Sequence, residues 1–327
     1  MGLTMITSAS NCDVLVAGEY FCDLIFSGLG DAPRLGAEHF ATGLSIVPGG
    51  TYNIALAATR LGLATRWCCD FGSDIFSTHV LDQARIDGLD LRGFRLIDGP
   101  LPRVSAAFSG DGERGFISYS APEPRPPDLS CLRLHRPNWL LQTFRFEPDW
   151  IEFVHIARQQ GASVFLDCRD GDFTLDTPGV RELLALADVF SPNAEEAMAL
   201  AGTRDLDRAV ALLAERVPVL LVKRGAEGAL LVTGKDTTEI APPSVEVVDT
   251  IGAGDAFNAG FVFGMVNGAG LAAATRLAVA CGALSTTGTG SRACPTAEEL
   301  ARFAPMPAGA WAIGPRPDRP AATGTTN

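Results

Sequence analysis

Short β-branched, apolar runs recur along this chain at intervals long enough to hold a helix. That alternation constrains the fold more than any other feature. Residues 13–18, 65–71, 139–143, 163–167 and 188–193 each read as a buried strand. Residues 54–61 and 75–88, and the Ala-rich run 271–285, read as helices. Such a chain is expected to fold as α/β, with a mostly parallel central sheet and helices on both faces. Ligands of such sheets bind beyond the carboxyl ends of the strands, which puts Glu19 and Asp23 near a site.

The alternation breaks between residues 92 and 120. Strand-like pieces at 94–97, 104–108 and 116–119, with a turn at 109–112, carry antiparallel-hairpin signals. A Pro-rich stretch, 121–127, follows as a stiff connector.

The chemistry concentrates in residues 247–260. A β-branched run stops at Asp249-Thr250, Gly252-Ala253-Gly254 follow, and an apolar run starts after Asp255. The pattern predicts a strand end, a glycine turn and a helix start. First-turn amides have no intrahelical acceptor, and the helix dipole favours negative charge there, so an anion such as a phosphate fits. Asp255 in that place reads two ways. It either favours the first helical turn, or takes a proton from an attacking hydroxyl while the amides hold a phosphoryl group.

Other routes to nucleotide binding fail on spacing. Gly234-Lys235 is followed by Asp236, which breaks a phosphate-binding P-loop, and no Gly-x-Gly-x-x-Gly follows an early strand. The eight cysteines form no C-x-x-C pair and the four histidines lack metal-ligand spacing, so buried free thiols are expected and no zinc site. A net charge of −12 argues against nonspecific nucleic-acid binding. No apolar run reaches the ~18 residues of a membrane span. Residues 1–10 lack the features of a signal peptide, so a cytoplasmic location is the default expectation.

The run from Asp249 to Asp255, Asp-Thr-x-Gly-Ala-Gly-Asp, resembles the C-terminal signature of the ribokinase-like (PfkB) family of carbohydrate kinases. Further motifs in the family's order extend the resemblance over residues 12–305. It implies one kinase domain, with a small β lid from about residues 19–46 and 92–120 that often mediates a homodimer. Residues 1–11 and 308–327 are expected to be disordered tails.

The resemblance also implies roles. Asp255 would be the base, and Gly252, Ala253 and Gly254 the anion hole. Asp23 would accept from two sugar hydroxyls. Gly49, Gly50 and Asn53 resemble the N-terminal signature, except that the Asn comes one residue early if Gly49-Gly50 is the glycine pair, which leaves open which glycine meets substrate. Asp74 would lie on the substrate side. Asn193 and Glu196 match an Asn-x-x-Glu motif that organises magnesium and phosphate, largely through water. The same two residues also read as a capping box. Gly225 and Gly228 would border ATP, with Lys223 or Arg224 facing phosphate or solvent, and Asp249 is the candidate ligand of a monovalent cation such as potassium.

The function implied is ATP-dependent phosphorylation of a sugar hydroxymethyl group. The alternatives are a nucleoside kinase of the same family and a noncatalytic sugar- or nucleotide-binding protein.

Overall fold

The computed structural model describes residues 11–304, apart from Ala32, Asp111, Gly112, Ala121, Glu123, Pro124 and Asp170. The expected tails therefore lie outside the described residues, except Asn11, as do parts of the 109–112 turn and of the 121–127 connector.

The strands in chain order are β1 (Cys12–Ala17), β2 (Tyr20–Ser27), β3 (Gly43–Gly50), β4 (Thr65–Phe71), β5 (Phe94–Leu96), β6 (Arg103–Gly110), β7 (Glu113–Ser120), β8 (Pro137–Thr143), β9 (Ser163–Asp167), β10 (Val189–Ser191), β11 (Val219–Lys223), β12 (Ala229–Thr233) and β13 (Asp236–Ile240). The helices are α1 (Thr51–Arg60), α2 (Ile75–Ile86), α3 (Ser130–His135), α4 (Pro148–Gln159), α5 (Val180–Leu186), α6 (Ala194–Ala201), α7 (Leu206–Ala214), α8 (Ala253–Val266), α9 (Leu271–Ser285) and α10 (Ala297–Phe303).

Nine strands form one sheet in the order β13-β12-β11-β10-β9-β8-β1-β4-β5. Every pair is parallel except β11–β12 and β12–β13. The buried strands alternate their side chains between two cores. Val14 and Val16 of β1 enter the core that includes Phe257 and Leu277, and Leu15 and Ala17 enter the one that includes Phe153 and Leu184. This is the expected α/β architecture, with a parallel sheet clad on both faces.

A second sheet of four strands has the order β3-β2-β6-β7. Its β2–β3 and β6–β7 pairs are antiparallel and its β2–β6 pair is parallel. The expected hairpin strands over residues 104–119 are therefore present.

Two expectations need correction. Residues 94–97 do not join the small sheet: β5 lies parallel to β4 at the edge of the large one, with Cys69 opposite Phe94. Its ring packs on Trp67 and Phe71, and this aromatic cluster holds it there. Nor is Val247-Val248 the end of a strand. Among the described residues the last strand stops at Ile240, and residues 241–250 are irregular. Pro242 and Pro243 have no N–H to give a ladder, and the amides of Val248 and Asp249 instead donate to the Thr286 carbonyl at 2.8 and 3.1 Å.

Candidate active site

Gly252 precedes α8 with φ 78°, a left-handed conformation that glycine adopts without strain. Ala253, Gly254 and Asp255 form the first turn of α8, and no side chain among the described residues caps it. The Ala253 amide leans toward the Thr250 carbonyl at 3.3 Å. The other first-turn amides have no acceptor one turn back in the helix.

Asp255 is the electrostatic centre of the site. Burial pushes its carboxyl up to about 7, with Asp167 adding to the rise, while a hydrogen bond from Asn53 and the charge of Lys223 pull it down and Asp23 raises it further. These contacts bring together groups from β2, α1, β9, β11 and α8. Lys223, at the end of β11, donates to Asp167 Oδ1 at 2.7 Å. Burial disfavours its charge, but Asp167 and Glu196 outweigh that and raise the ammonium above its ordinary value.

Asp23 and Asn53 also act on Asp255, and Gly49 lies against Asp23. Burial lifts the Asp23 carboxyl to about 6. Its oxygens occupy the space over Gly49, where a Cβ would lie 2.0 Å from Oδ2. Gly50, at φ 66°, faces the Glu19 carbonyl instead, and it is the N-cap of α1. Asn53 sits inside the first turn of α1 and does not cap it. Its Oδ1 is buried and has no hydrogen-bond partner among the described residues. Asp74 is placed differently. It caps α2, taking the amides of Phe76 and Ser77 at 3.0 Å and that of Leu101 at 2.7 Å. Burial works against its charge, but those hydrogen bonds win and hold its carboxyl below the usual range.

A cleft of ≈ 680 Å³ opens beside the turn, lined among others by Lys223, Gly225, Gly228, Val245, Gly254 and Thr286. That volume lies within the range of small-molecule sites. Arg224 faces away, toward Glu227 and Glu239. Asn193 and Glu196 form a reciprocal capping box at α6: Glu196 Oε2 accepts the Asn193 amide at 2.7 Å, and Asn193 Oδ1 accepts the Glu196 amide at 2.8 Å. Asp249 ties two loops together, with Oδ1 accepting from Ile251 at 3.1 Å and Oδ2 from Gly290 at 3.0 Å.

Residues 36–298 match the pfkB family of carbohydrate kinases. The chain belongs to that family. It is 30% identical over 278 residues to a fructokinase of Escherichia coli, a match that covers 77% of this chain and 90% of that one. It is 28% identical over 279 residues to an aminoimidazole riboside kinase of Salmonella typhimurium, covering 78% and 87%. The structure of an Arabidopsis thaliana ribokinase complexed with ribose and ATP superposes with a TM-score of 0.78 at 25% identity, over 91% of this chain and 100% of that one. The chain is thus a carbohydrate kinase with the ribokinase fold.

One acid of this kinase's site, Asp167, was not singled out from the sequence. It closes a strand whose end faces the site, and that position was the available signal. Its pairing with Lys223, 56 residues away, had none. Glu19 pairs with the buried Arg145, at the neighbouring strand end. Among the described residues no helix is long and apolar enough to cross a membrane.

Proposed function

We propose that this kinase transfers the γ-phosphoryl group of ATP to a hydroxymethyl group of a sugar. Asp255 is the general base, and the amides of Gly252, Ala253 and Gly254 are the anion hole. The observation that carries the reading is the position of Asp255. Its carboxyl, pushed up to about 7, sits in the first turn of α8, takes a hydrogen bond from Asn53, whose Oδ1 has no partner among the described residues, and feels the charge of Asp23. A base poised near neutral pH is suited to taking a proton from an alcohol. Asp23 and Asn53 accept acceptor hydroxyls, Gly49 gives Asp23 its room, and the phosphates run along the cleft past Gly225 and Gly228. Positioning and electrostatics supply most of the catalysis in such transfers.

Three carboxylates, Asp167, Glu196 and Asp255, act on the Lys223 ammonium, and Asp23 acts on Asp255. Asn193 and Glu196 would hold magnesium through water, where it would neutralise phosphate charge. Asp249 is the candidate ligand for potassium.

A second reading, a nucleoside acceptor, is favoured by the aminoimidazole riboside kinase relative. The small sheet acts as a lid over the acceptor and pairs with its copy in a homodimer. Support comes from its outer face, where Ile46, Leu24, Ala106 and Ile117 align across all four strands and Ile46 and Ile117 are exposed. Eight free cysteines suit a reducing cytoplasm.

The test is an ADP-release screen over sugars, sugar acids and nucleosides, with and without potassium. Turnover with a sugar is expected. ATP binding with no ADP from any acceptor would support a noncatalytic binder instead.

A further inference from the structure

We propose that Asp87 is a positioning residue that ties the acceptor side of the site to its nucleotide side, by gripping Tyr52 and Arg292 with one carboxylate. The inference rests on the phosphotransfer reading above and deepens it. Asp87 ends α2, and its own backbone amide closes that helix on the Gln83 carbonyl at 2.9 Å. The carboxylate is not needed for that cap, and negative charge at a helix C-terminus opposes the dipole. Its side chain is 13% exposed and serves other elements. Oδ2 accepts from the Tyr52 hydroxyl and from Arg292 Nε at 3.4 Å, and Oδ1 accepts from Arg292 Nη2 at 3.0 Å.

Each partner leads to a different half of the site. Tyr52 lies in the first turn of α1, directly before Asn53, which donates to Asp255. Its ring is buried edge-on against Trp67, with centroids 5.5 Å apart. Burial and the bond to Asp87 both push the phenol up, so it stays a donor. Arg292 belongs to a 3-10 turn, Ser291–Ala293, whose Ala293 amide donates to the Gly290 carbonyl at 3.1 Å. The Gly290 amide donates in turn to Asp249, which also takes the amide of Ile251, next to Gly252. The Asp249 amide closes on the carbonyl of Thr286, which lines the cleft. A second tie runs beside this one, where Arg60 Nε, in the last turn of α1, donates to the Cys294 carbonyl at 2.6 Å.

A path of contacts therefore runs from the helical turn that carries Asn53, through Tyr52, Asp87 and Arg292, to the loop that holds Asp249 beside the anion turn. Asp87 meets neither substrate in this arrangement. It sets the spacing between α1 and residues 286–294, and so the distance over which Asn53 and the amides of α8 act together. Without the carboxylate the buried Tyr52 hydroxyl loses its acceptor and Arg292 is released, so both sides loosen at once. A displacement of about 1 Å between such groups is enough to slow a transfer strongly.

Three variants separate the two arms. Arg292→Met is expected to weaken AMP-PNP, titrated by calorimetry in magnesium buffer, by about 2–5-fold, the size of a half-exposed ion pair, and Arg292→Lys to recover most of that loss. Tyr52→Phe is expected to leave AMP-PNP within about 2-fold and to raise KM for the acceptor found by ADP release about 3–10-fold. Asp87→Ala is expected to show both effects. Hydrogen exchange read by mass spectrometry follows the same link without an acceptor. Exchange quickens over residues 51–58 in Tyr52→Phe, over 286–294 in Arg292→Met, and over both in Asp87→Ala. Should Asp87→Ala fail to fold, the two single-contact variants carry the comparison. An Asp87→Ala protein with wild-type AMP-PNP affinity and wild-type exchange in both segments, or with exchange quickened evenly along the chain, overturns the inference. Wild-type protein that binds no AMP-PNP overturns the phosphotransfer reading instead, and the exchange comparison still decides the role of Asp87.

Discussion

Asp255 imposes a measurable penalty on the folded chain. Its ordinary value is 3.8, and in the fold it titrates near 7. Between those values the folded chain holds a proton that the unfolded chain has released. Stability therefore falls as pH rises through that window, and the full penalty is present above 7. Asp255→Asn is expected to melt about 2–5 °C above wild type at pH 8, with the gap closing toward pH 4, as read by calorimetry. A gap independent of pH would contradict the burial of that charge. Gly49 makes a second residue-scale claim. A Cβ there would strike Asp23 Oδ2, so Gly49→Ala should raise KM for the acceptor about 10-fold or more and leave KM for ATP unchanged. Equal rises in both would place the damage elsewhere. Asp255 and its glycines were legible because one turn holds them all. The Asp167–Lys223 pair was not, since 56 residues separate its members and only the parallel sheet brings their strand ends together.

At the scale of elements, the β11–β12 connection borders the cleft and depends on Gly228. This residue has φ 81°, and a Cβ would sit 2.0 Å from the Ile240 carbonyl oxygen. Gly228→Ala is expected to cost about 1–3 kcal/mol of stability and to weaken nucleotide binding. A variant with unchanged melting and unchanged ATP affinity would contradict that reading. The same scale shows where periodicity stops informing. Helix α9 was legible to its ends, because fifteen residues of uninterrupted Ala-rich sequence admit few alternatives. Strand β5 was recognisable as a strand but not assignable to a sheet, since its partner β4 is fixed by an aromatic cluster assembled from residues 67, 71 and 94. The Val247-Val248 pair has strand composition, yet its backbone hydrogen-bonds to the end of α9.

For the whole molecule, the two-sheet architecture follows from the alternation of runs and its interruption at residues 92–120, so the fold class was readable. The assembly belongs to this scale too. Exposed Leu44, Ile46, Ile117 and Tyr119 lie on the outer face of the small sheet. Light scattering is expected to find a dimer for the wild-type chain and a monomer for Ile117→Lys, whereas a wild-type monomer would count against the proposed interface. The central claim, a phosphoryl transfer driven by Asp255 beside an anion-binding turn, is tested most directly by acceptor-dependent ADP release from Asp255→Asn, with ATP affinity titrated in the same variant. The expected result is kcat lower by about three orders of magnitude with ATP affinity kept, while wild-type kcat/KM rises with pH through about 7. Near-wild-type turnover in Asp255→Asn would contradict the claim.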